Sequence, residues 1–310
     1  MKVALFGGTG FVGGYLVRAL LAAGHEPSVL IRSGSENKLA ESERCQTTTG
    51  DVSSTDAIGA TLRDCNAVIY NIGLLREFPR KGITFEEAHF HGVRRVVDAA
   101  QRNGVRRFLL MSANGVKSSG TPYQDTKFRA EELLRNSDLD WTIFQPSVIF
   151  GDSSGMQEIS HQLHVDIVRP PIPAPAFRSG WSGKNNNVVM SPVSVTDVAD
   201  AFVNALSNDD TIGRTIVLGG PEVLSWEDMI VRIAEATGRE KKLLPVHIGL
   251  MKFAARLFDW MPIFPATRDQ LTMLAEGNAA RPDEIEALNG RPPTRFAGES
   301  LDYLHRVNSR

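Results

Sequence analysis

The chain has 310 residues, 42% hydrophobic and 23% charged, with a formal net charge of −2 at pH 7. That length and composition suit a soluble globular protein of one large α/β domain or a domain plus a smaller lobe, and the charge balance excludes nucleic acid as a main electrostatic partner. Two cysteines far apart, Cys45 and Cys65, make a disulfide or metal site unexpected; with no spanning apolar run and no signal peptide ahead of the first strand, a cytoplasmic location is expected.

The first stretch, Met1–Gly24, carries the strongest signal. An apolar run, Val3–Phe6, leads into Gly7-Gly8-Thr9-Gly10-Phe11-Val12-Gly13, and apolar residues then recur at helical spacing through Leu16, Leu20 and Ala23. This is a strand, a glycine turn and a helix. Glycines at 7, 10 and 13 let backbone N–H groups approach a diphosphate at the helix N-terminus, so Gly7, Thr9, Gly10, Phe11, Val12 and Gly13 are candidate cofactor-binding residues.

Pro27–Arg32 reads as the second strand, ending in Arg32-Ser33 with no acidic residue to grip a ribose 2′-hydroxyl. A guanidinium suits a 2′-phosphate, so NADP(H) is favoured over NAD(H). A short polar helix over Ser35–Ser42 and a strand over Cys45–Thr49 follow, ending in Gly50-Asp51-Val52. Asp51 is placed to accept from an adenine amino group; Asp51 or Ser53 is equally suited to cap the next helix, Thr55–Arg63. Val52 belongs with Asp51 among the candidate cofactor residues. So does Asn71, which follows a fourth strand at Asn66–Tyr70. A long helix is expected over Thr84–Asn103, then a fifth strand at Arg107–Met111 and a helix running from Tyr123 to Arg135. Alternation at this spacing implies a Rossmann-type doubly wound parallel sheet with right-handed crossovers.

Ser112 directly follows the fifth strand, and Tyr123 and Lys127 stand at i and i+4 on one helix face. A phenol with a pKa near about 10 needs help to move protons at neutral pH, and a neighbouring ammonium supplies it. Ser112 would polarise a substrate oxygen. These three are the candidate catalytic residues, and Tyr123 and Lys127 are also candidate cofactor-binding residues, the lysine being suited to hold the nicotinamide ribose hydroxyls.

The glycine turn, Asp51, Ser112 and Tyr123-x-x-x-Lys127 resemble an extended short-chain dehydrogenase/reductase, of the NAD-dependent epimerase/dehydratase type. The segments Asp140–Gly151 (DWTIFQPSVIFG) and Pro265–Leu271 (PATRDQL) narrow the likeness to bacterial relatives of an accessory subunit of respiratory complex I, in which NADPH is held for structural reasons. The resemblance implies that Pro146, Ser147 and Val148 line the nicotinamide pocket. Extended reductases usually carry Asn-x-x-Gly before the fifth strand, the asparagine supporting a proton relay. This chain has His89-Phe90-His91-Gly92 there, so either histidine takes over the hydrogen bond or the relay is absent.

The expected division is a dinucleotide-binding domain over residues 1–154, with returning elements near 188–218, and a smaller, mostly helical substrate lobe over 155–310. A sixth strand at Trp141–Phe144 precedes it, and the proline-rich stretch Arg169–Pro175 reads as an extended loop. Ser179–Asn187 reads as a polar loop and Val188–Val193 as a short strand. Thr196 or Asp197 would cap a helix over Val198–Leu206, Thr215–Leu218 reads as a strand, and Ser225 would cap a helix over Trp226–Thr237. The segment 248–264 carries a broad apolar stripe punctuated by Lys252, Arg256 and Asp259. It suits core, a subunit interface, or peripheral contact with lipid or a quinone. Helices over Arg268–Glu276 and Pro282–Leu288 close the chain.

Three functions remain open on sequence: an NADP(H)-dependent oxidoreductase acting on a carbonyl, alcohol or quinone-like substrate; a non-catalytic NADPH-binding scaffold or assembly factor; and a sugar-nucleotide epimerase or dehydratase.

Overall fold

A computed structural model describes residues 1–156, 158–178, 188–247 and 268–309. The sequence readings at 179–187, at 248–264 and at 265–267 lie outside the described residues. In chain order come β1 (Lys2–Phe6), α1 (Phe11–Ala22), β2 (Glu26–Ile31), β3 (Gln46–Thr49), α2 (Thr55–Leu62) and β4 (Ala67–Tyr70). Next are α3 (Gly92–Arg102), β5 (Arg107–Met111), α4 (Pro122–Arg135), β6 (Asp140–Pro146), β7 (Ile149–Phe150), α5 (Ile159–Leu163) and β8 (Ala174–Arg178). Then follow β9 (Val189–Met190), β10 (Val193–Ser194), α6 (Val195–Ala205), β11 (Arg214–Leu218), β12 (Leu224–Ser225), α7 (Trp226–Ala236) and β13 (Leu243–His247). Two more helices, Arg268–Glu276 and Asp283–Asn289, and a 3₁₀ segment at Gly298–Ser309 complete it.

Seven strands form one sheet in the order β11-β6-β5-β4-β1-β2-β3. The pairings from β3 through β6 are all parallel, as in β1·β2 with Leu5 opposite Val29 and β4·β5 with Ile69 opposite Leu109. The order reverses after β1, so the crevice above the carboxyl ends of β1 and β4 is where ligands bind in such sheets. This is the expected Rossmann-type α/β fold. Strands β1, β4 and β5 read as apolar runs because helices cover both their faces. Phe6, Val68, Tyr70 and Phe108 pack with Ile58, Val93, Val96 and Leu134 from α2, α3 and α4.

The chain divides into two compact units. The first comprises residues 1–146, 196–217 and 287–290; the second comprises 147–195, 218–286 and 291–310. The second unit has its own apolar core, with Phe150, Leu163, Met190, Trp226, Ile230 and Phe296 among its members. It holds three two-stranded ribbons: β7·β10 and β8·β13 are parallel, and β9·β12 is antiparallel.

Several local readings need correction. Ser35–Ser42 is not a helix: 3₁₀ turns stand at Glu36–Lys38 and Ser42–Arg44, broken by extended Leu39 and left-handed Glu41. So short a segment cannot repay helix nucleation. The cap of α2 is neither Asp51 nor Ser53; the Ser54 side chain accepts from Ala57 N–H. Helix α6 starts at Val195, so Thr196 and Asp197 stand inside its first turn and not at its cap. The proline-rich stretch ends in strand β8, paired along its length with β13. Proline is tolerated there because a two-stranded ribbon is all edge.

Candidate functional site

The turn after β1 is shaped around absent side chains. Gly7 has φ of +97°, and a Cβ there would come within 2.9 Å of the Asn71 carbonyl group. A Cβ at Gly13 would overlap the Gly7 carbonyl oxygen and the Gly8 backbone. The two glycines thus let the start of α1 lie directly on the strand end. Gly10 is the N-cap, with no side-chain cap bond and no acidic residue in the first turn. The leading N–H groups of α1 therefore present a positive dipole end beside Thr9, Phe11 and Val12, which fits a dinucleotide diphosphate.

The other cofactor candidates sit around this turn. Arg32 follows the last residue of β2 and is exposed. Asp51 Oδ1 accepts from both the N–H and the hydroxyl of Ser53. Those two bonds hold its carboxyl below the usual range, with smaller help from Arg32 and Arg95. The Val52 carbonyl accepts from Arg95 at 3.0 Å, which fixes the strap after β3 to α3. Asn71 N–H donates to Phe6 at 2.8 Å, closing β4 onto β1. Pro146 ends β6, where its carbonyl accepts from Asn114 N–H. Val148 belongs to the second unit, packed on that unit's core.

Ser112, Tyr123 and Lys127 all belong to the first unit. Thr121 and Gln124 form a capping box, with Pro122 at the first turn, and this fixes where α4 begins. Lys127 is buried and donates to the Met111 carbonyl at 3.1 Å, so the ammonium lies against the end of β5. It stands 5.6 Å from the centre of the Tyr123 ring. Ser112 Oγ is buried with no hydrogen-bond partner among the described residues. Such an orphan is costly unless it serves a ligand or a water. Ser112 and Lys127 line a cavity of about 10 Å³ with His89, Tyr70 and Ile72, at the threshold for one water.

Burial raises the Tyr123 phenol above its ordinary pKa. The lowering expected from Lys127 is therefore absent in the protein alone, and the hydroxyl is held in its proton-donating form. Burial also lowers Lys127 from 10.5 to about 8, with Glu131 one turn on opposing the shift. Between about pH 8 and 10.5 the folded lysine is neutral while the unfolded one stays charged. The unfolded state then binds more protons, so this residue's contribution favours folding increasingly as pH rises through that window. Urea unfolding of wild type and Lys127→Met should accordingly show a stability difference that moves towards wild type from pH 8 to 10. A difference independent of pH would show that burial does not lower the Lys127 pKa.

His89 resolves the departure from the reductase pattern. The residue is 2% exposed, its ring stacked on Phe85 at 5.4 Å and edge-on to Tyr123 at 5.3 Å. Leu74 N–H donates to Nε2 at 3.0 Å, and Nδ1 lies 3.3 Å from Thr126 Oγ1, whose own proton goes to the Pro122 carbonyl at 2.8 Å. Nδ1 must therefore carry the hydrogen. Burial and then the Lys127 charge hold the ring's pKa well below its ordinary value, so it is neutral. Both nitrogens are committed. His89 does keep a structural hydrogen bond, but it has no free position for a relay.

The long helix before β5 holds a feature the sequence did not announce. Residues Glu86–His91 form a π turn, with Gly92 N–H donating to Glu87 five residues back. The Ala88 carbonyl accepts instead from the Tyr70 hydroxyl at 2.6 Å. A Cβ at Gly92 would overlap that hydroxyl. The extra residue in the turn aims His89 at Tyr123, consistent with the recurrence of π bulges at functional sites. Thr126 was also missed, although it lies inside the Tyr123–Lys127 spacing. Among the described residues, no group of three or more His, Cys, Asp or Glu is placed to hold a metal ion, and no helix is long and apolar enough to cross a membrane.

Comparison with known proteins agrees with this geometry. A profile described as NAD(P)H-binding matches residues 7–209. The mitochondrial NADH dehydrogenase [ubiquinone] 1 alpha subcomplex subunit 9 of Arabidopsis thaliana is 27% identical, the match covering 97% of this chain and 76% of that protein. Photosystem II assembly factor Ycf39 of Guillardia theta is 26% identical, over 84% of this chain and 79% of its own length. The crystal structure of Thermus thermophilus UDP-glucose 4-epimerase in complex with NAD superposes with a TM-score of 0.73 over the whole of both chains at 18% identity, a likeness of fold. The chain belongs to the NAD(P)H-binding family, is homologous to the complex I subunit and to Ycf39, and shares the fold of the epimerase.

Proposed function

We infer that the protein is an NADP(H)-dependent oxidoreductase acting on a carbonyl or alcohol, in the reducing direction at neutral pH. The observation that carries this reading is the unpartnered, buried Ser112 hydroxyl at the end of β5, one residue from the carbonyl that holds Lys127. Ser112 would donate to the substrate oxygen. Tyr123, kept protonated by burial, would deliver the proton to that oxygen, and the Lys127 ammonium would steady the phenolate left behind. Lys127 would also hold nicotinamide ribose hydroxyls. When bound, the nicotinamide supplies the hydride. Purified protein should oxidise NADPH with some member of a panel of carbonyls, quinones and sugar nucleotides; no turnover with any of them would sink the reading.

The preference for the phosphorylated cofactor rests on Arg32 at the end of β2, where the sequence places no Asp or Glu at the strand end. Arg32→Glu is expected to weaken NADPH by roughly 10- to 100-fold, the worth of charged hydrogen bonds of about 1.5–3 kcal/mol. NADH binding should change little. Equal losses for both cofactors, read by fluorescence titration, would refute the assignment.

One observation favours a second reading, a scaffold that retains NADPH without turning it over. His89 has both ring nitrogens engaged where the reductase pattern places a relay asparagine, and named relatives are a respiratory-complex subunit and an assembly factor. Under it the protein purifies with reduced cofactor that resists dialysis, together with a stable partner.

A further inference from the structure

The second unit carries a basic pocket that nothing in the dinucleotide chemistry uses. Two segments run into the start of the parallel pair β8·β13: residues 168–173 precede Ala174, and residues 239–242 precede Leu243. Together they line a cavity of about 470 Å³, within the usual range of small-ligand sites. It lies at the amino ends of these strands, opposite to the carboxyl ends where ligands gather in parallel sheets.

The walls are fixed. Pro170, Pro171 and Pro173 restrict one segment. Lys241 ties the two together by donating to the carbonyls of Val168 and Pro170, and Ala174 N–H donates to the Lys242 carbonyl at 2.8 Å. Arg169, Arg239 and Lys242 remain at the rim, exposed and with no ion-pair partner among the described residues. Glu240 is the one carboxylate in the lining among the described residues. Exposed aliphatic side chains stand near these cations in the chain: Ile172, also in the lining, is 66% exposed, and Leu244, two residues past Lys242, is 56% exposed.

We propose that this face docks on an anionic lipid surface, with headgroup phosphates at the Arg169, Arg239 and Lys242 rim and Ile172 and Leu244 in the interfacial layer. A free phosphate shares the headgroup chemistry and would account for the cations alone. The bare aliphatic side chains near them decide for a lipid surface, where basic and apolar groups contribute together. The occupant is thus a leaflet carrying acidic headgroups.

Vesicles of phosphatidylcholine mixed with phosphatidylglycerol should sediment the full chain, and vesicles of phosphatidylcholine alone should not. The double variant Arg169→Glu/Lys242→Glu should lower partitioning at least about 25-fold, each basic residue near such a surface being worth about fivefold. Ile172→Ser/Leu244→Ser should lower it several-fold while leaving the salt dependence intact. Circular dichroism and urea unfolding of each variant report that the chain, second unit included, has folded. Should the double variant fail that control, release of wild-type protein from mixed vesicles by raised salt serves as the second readout. No sedimentation of wild type, undiminished binding by the charge-reversed chain, retention at high salt, or displacement by millimolar inorganic phosphate would each overturn the proposal.

Discussion

Gly13→Ala is expected to lose NADPH affinity by at least about 100-fold and to unfold more easily, whereas Gly10→Ala should lose affinity alone. A methyl at 13 has no room, because it would overlap the Gly7 carbonyl oxygen and the Gly8 backbone. Helix α1 must then back away from β1. Overpacking of this kind costs about 1–3 kcal/mol, and the retreat also removes hydrogen bonds from the helix N-terminus to the diphosphate, each charged one worth about 1.5–3 kcal/mol. Each such lost hydrogen bond is a factor of ten or more in affinity, so two give about 100-fold. At Gly10 the nearest atom to an added Cβ is 3.4 Å away, and its φ of −85° suits any residue. The protein alone tolerates that methyl; only an approaching diphosphate meets it. Denaturant midpoints and cofactor titrations of the two variants separate these effects, and equal midpoints would show that the close approach at Gly13 does not constrain the fold.

Tyr123→Phe is expected to lower turnover by about 10²–10⁴-fold, the usual worth of a positioned general acid, with NADPH affinity nearly unchanged. The ring is held on two sides, edge-on to Phe85 at 5.7 Å and to His89 at 5.3 Å. Phenylalanine keeps those contacts and removes only the hydroxyl. Pre-steady-state measurement of NADPH oxidation reads the change directly. If the variant matches wild type, the hydroxyl moves no proton, and the scaffold reading gains accordingly.

Much of this architecture could be read from the sequence because its signals are local. Strand β5 is Arg107–Met111 in both the reading and the structure, since an apolar run between a helix stop and a serine has few alternatives. Ser225 caps α7 through a capping box with Asp228, a pattern contained within four residues. The features the sequence did not show depend on groups far apart in the chain, whereas the misread caps and the short Ser35–Ser42 segment turn on local competition. The π turn at Glu86–His91 exists because the Tyr70 hydroxyl takes a carbonyl from another element. The neutral tautomer of His89 is dictated by Leu74 on one side and Thr126 on the other. Pairing of β8 with β13 joins segments some seventy positions apart, which no periodicity announces.

The Arg107 side chain has a consequence for how the molecule can be cut. Its guanidinium, 9% exposed, donates to the Asp140 carbonyl, to the Ala205 carbonyl and to Thr211 Oγ1. Two of those three acceptors come from the stretch that returns to the sheet after residue 195. A recombinant fragment ending near residue 154 would retain the glycine turn, Ser112, Tyr123 and Lys127, yet would strip this cation of most of its acceptors beside an uncovered edge at β6. The dinucleotide-binding portion is therefore discontinuous as an expressible unit, and its shortest stable version must carry residues 196–217 grafted on or supplied in trans.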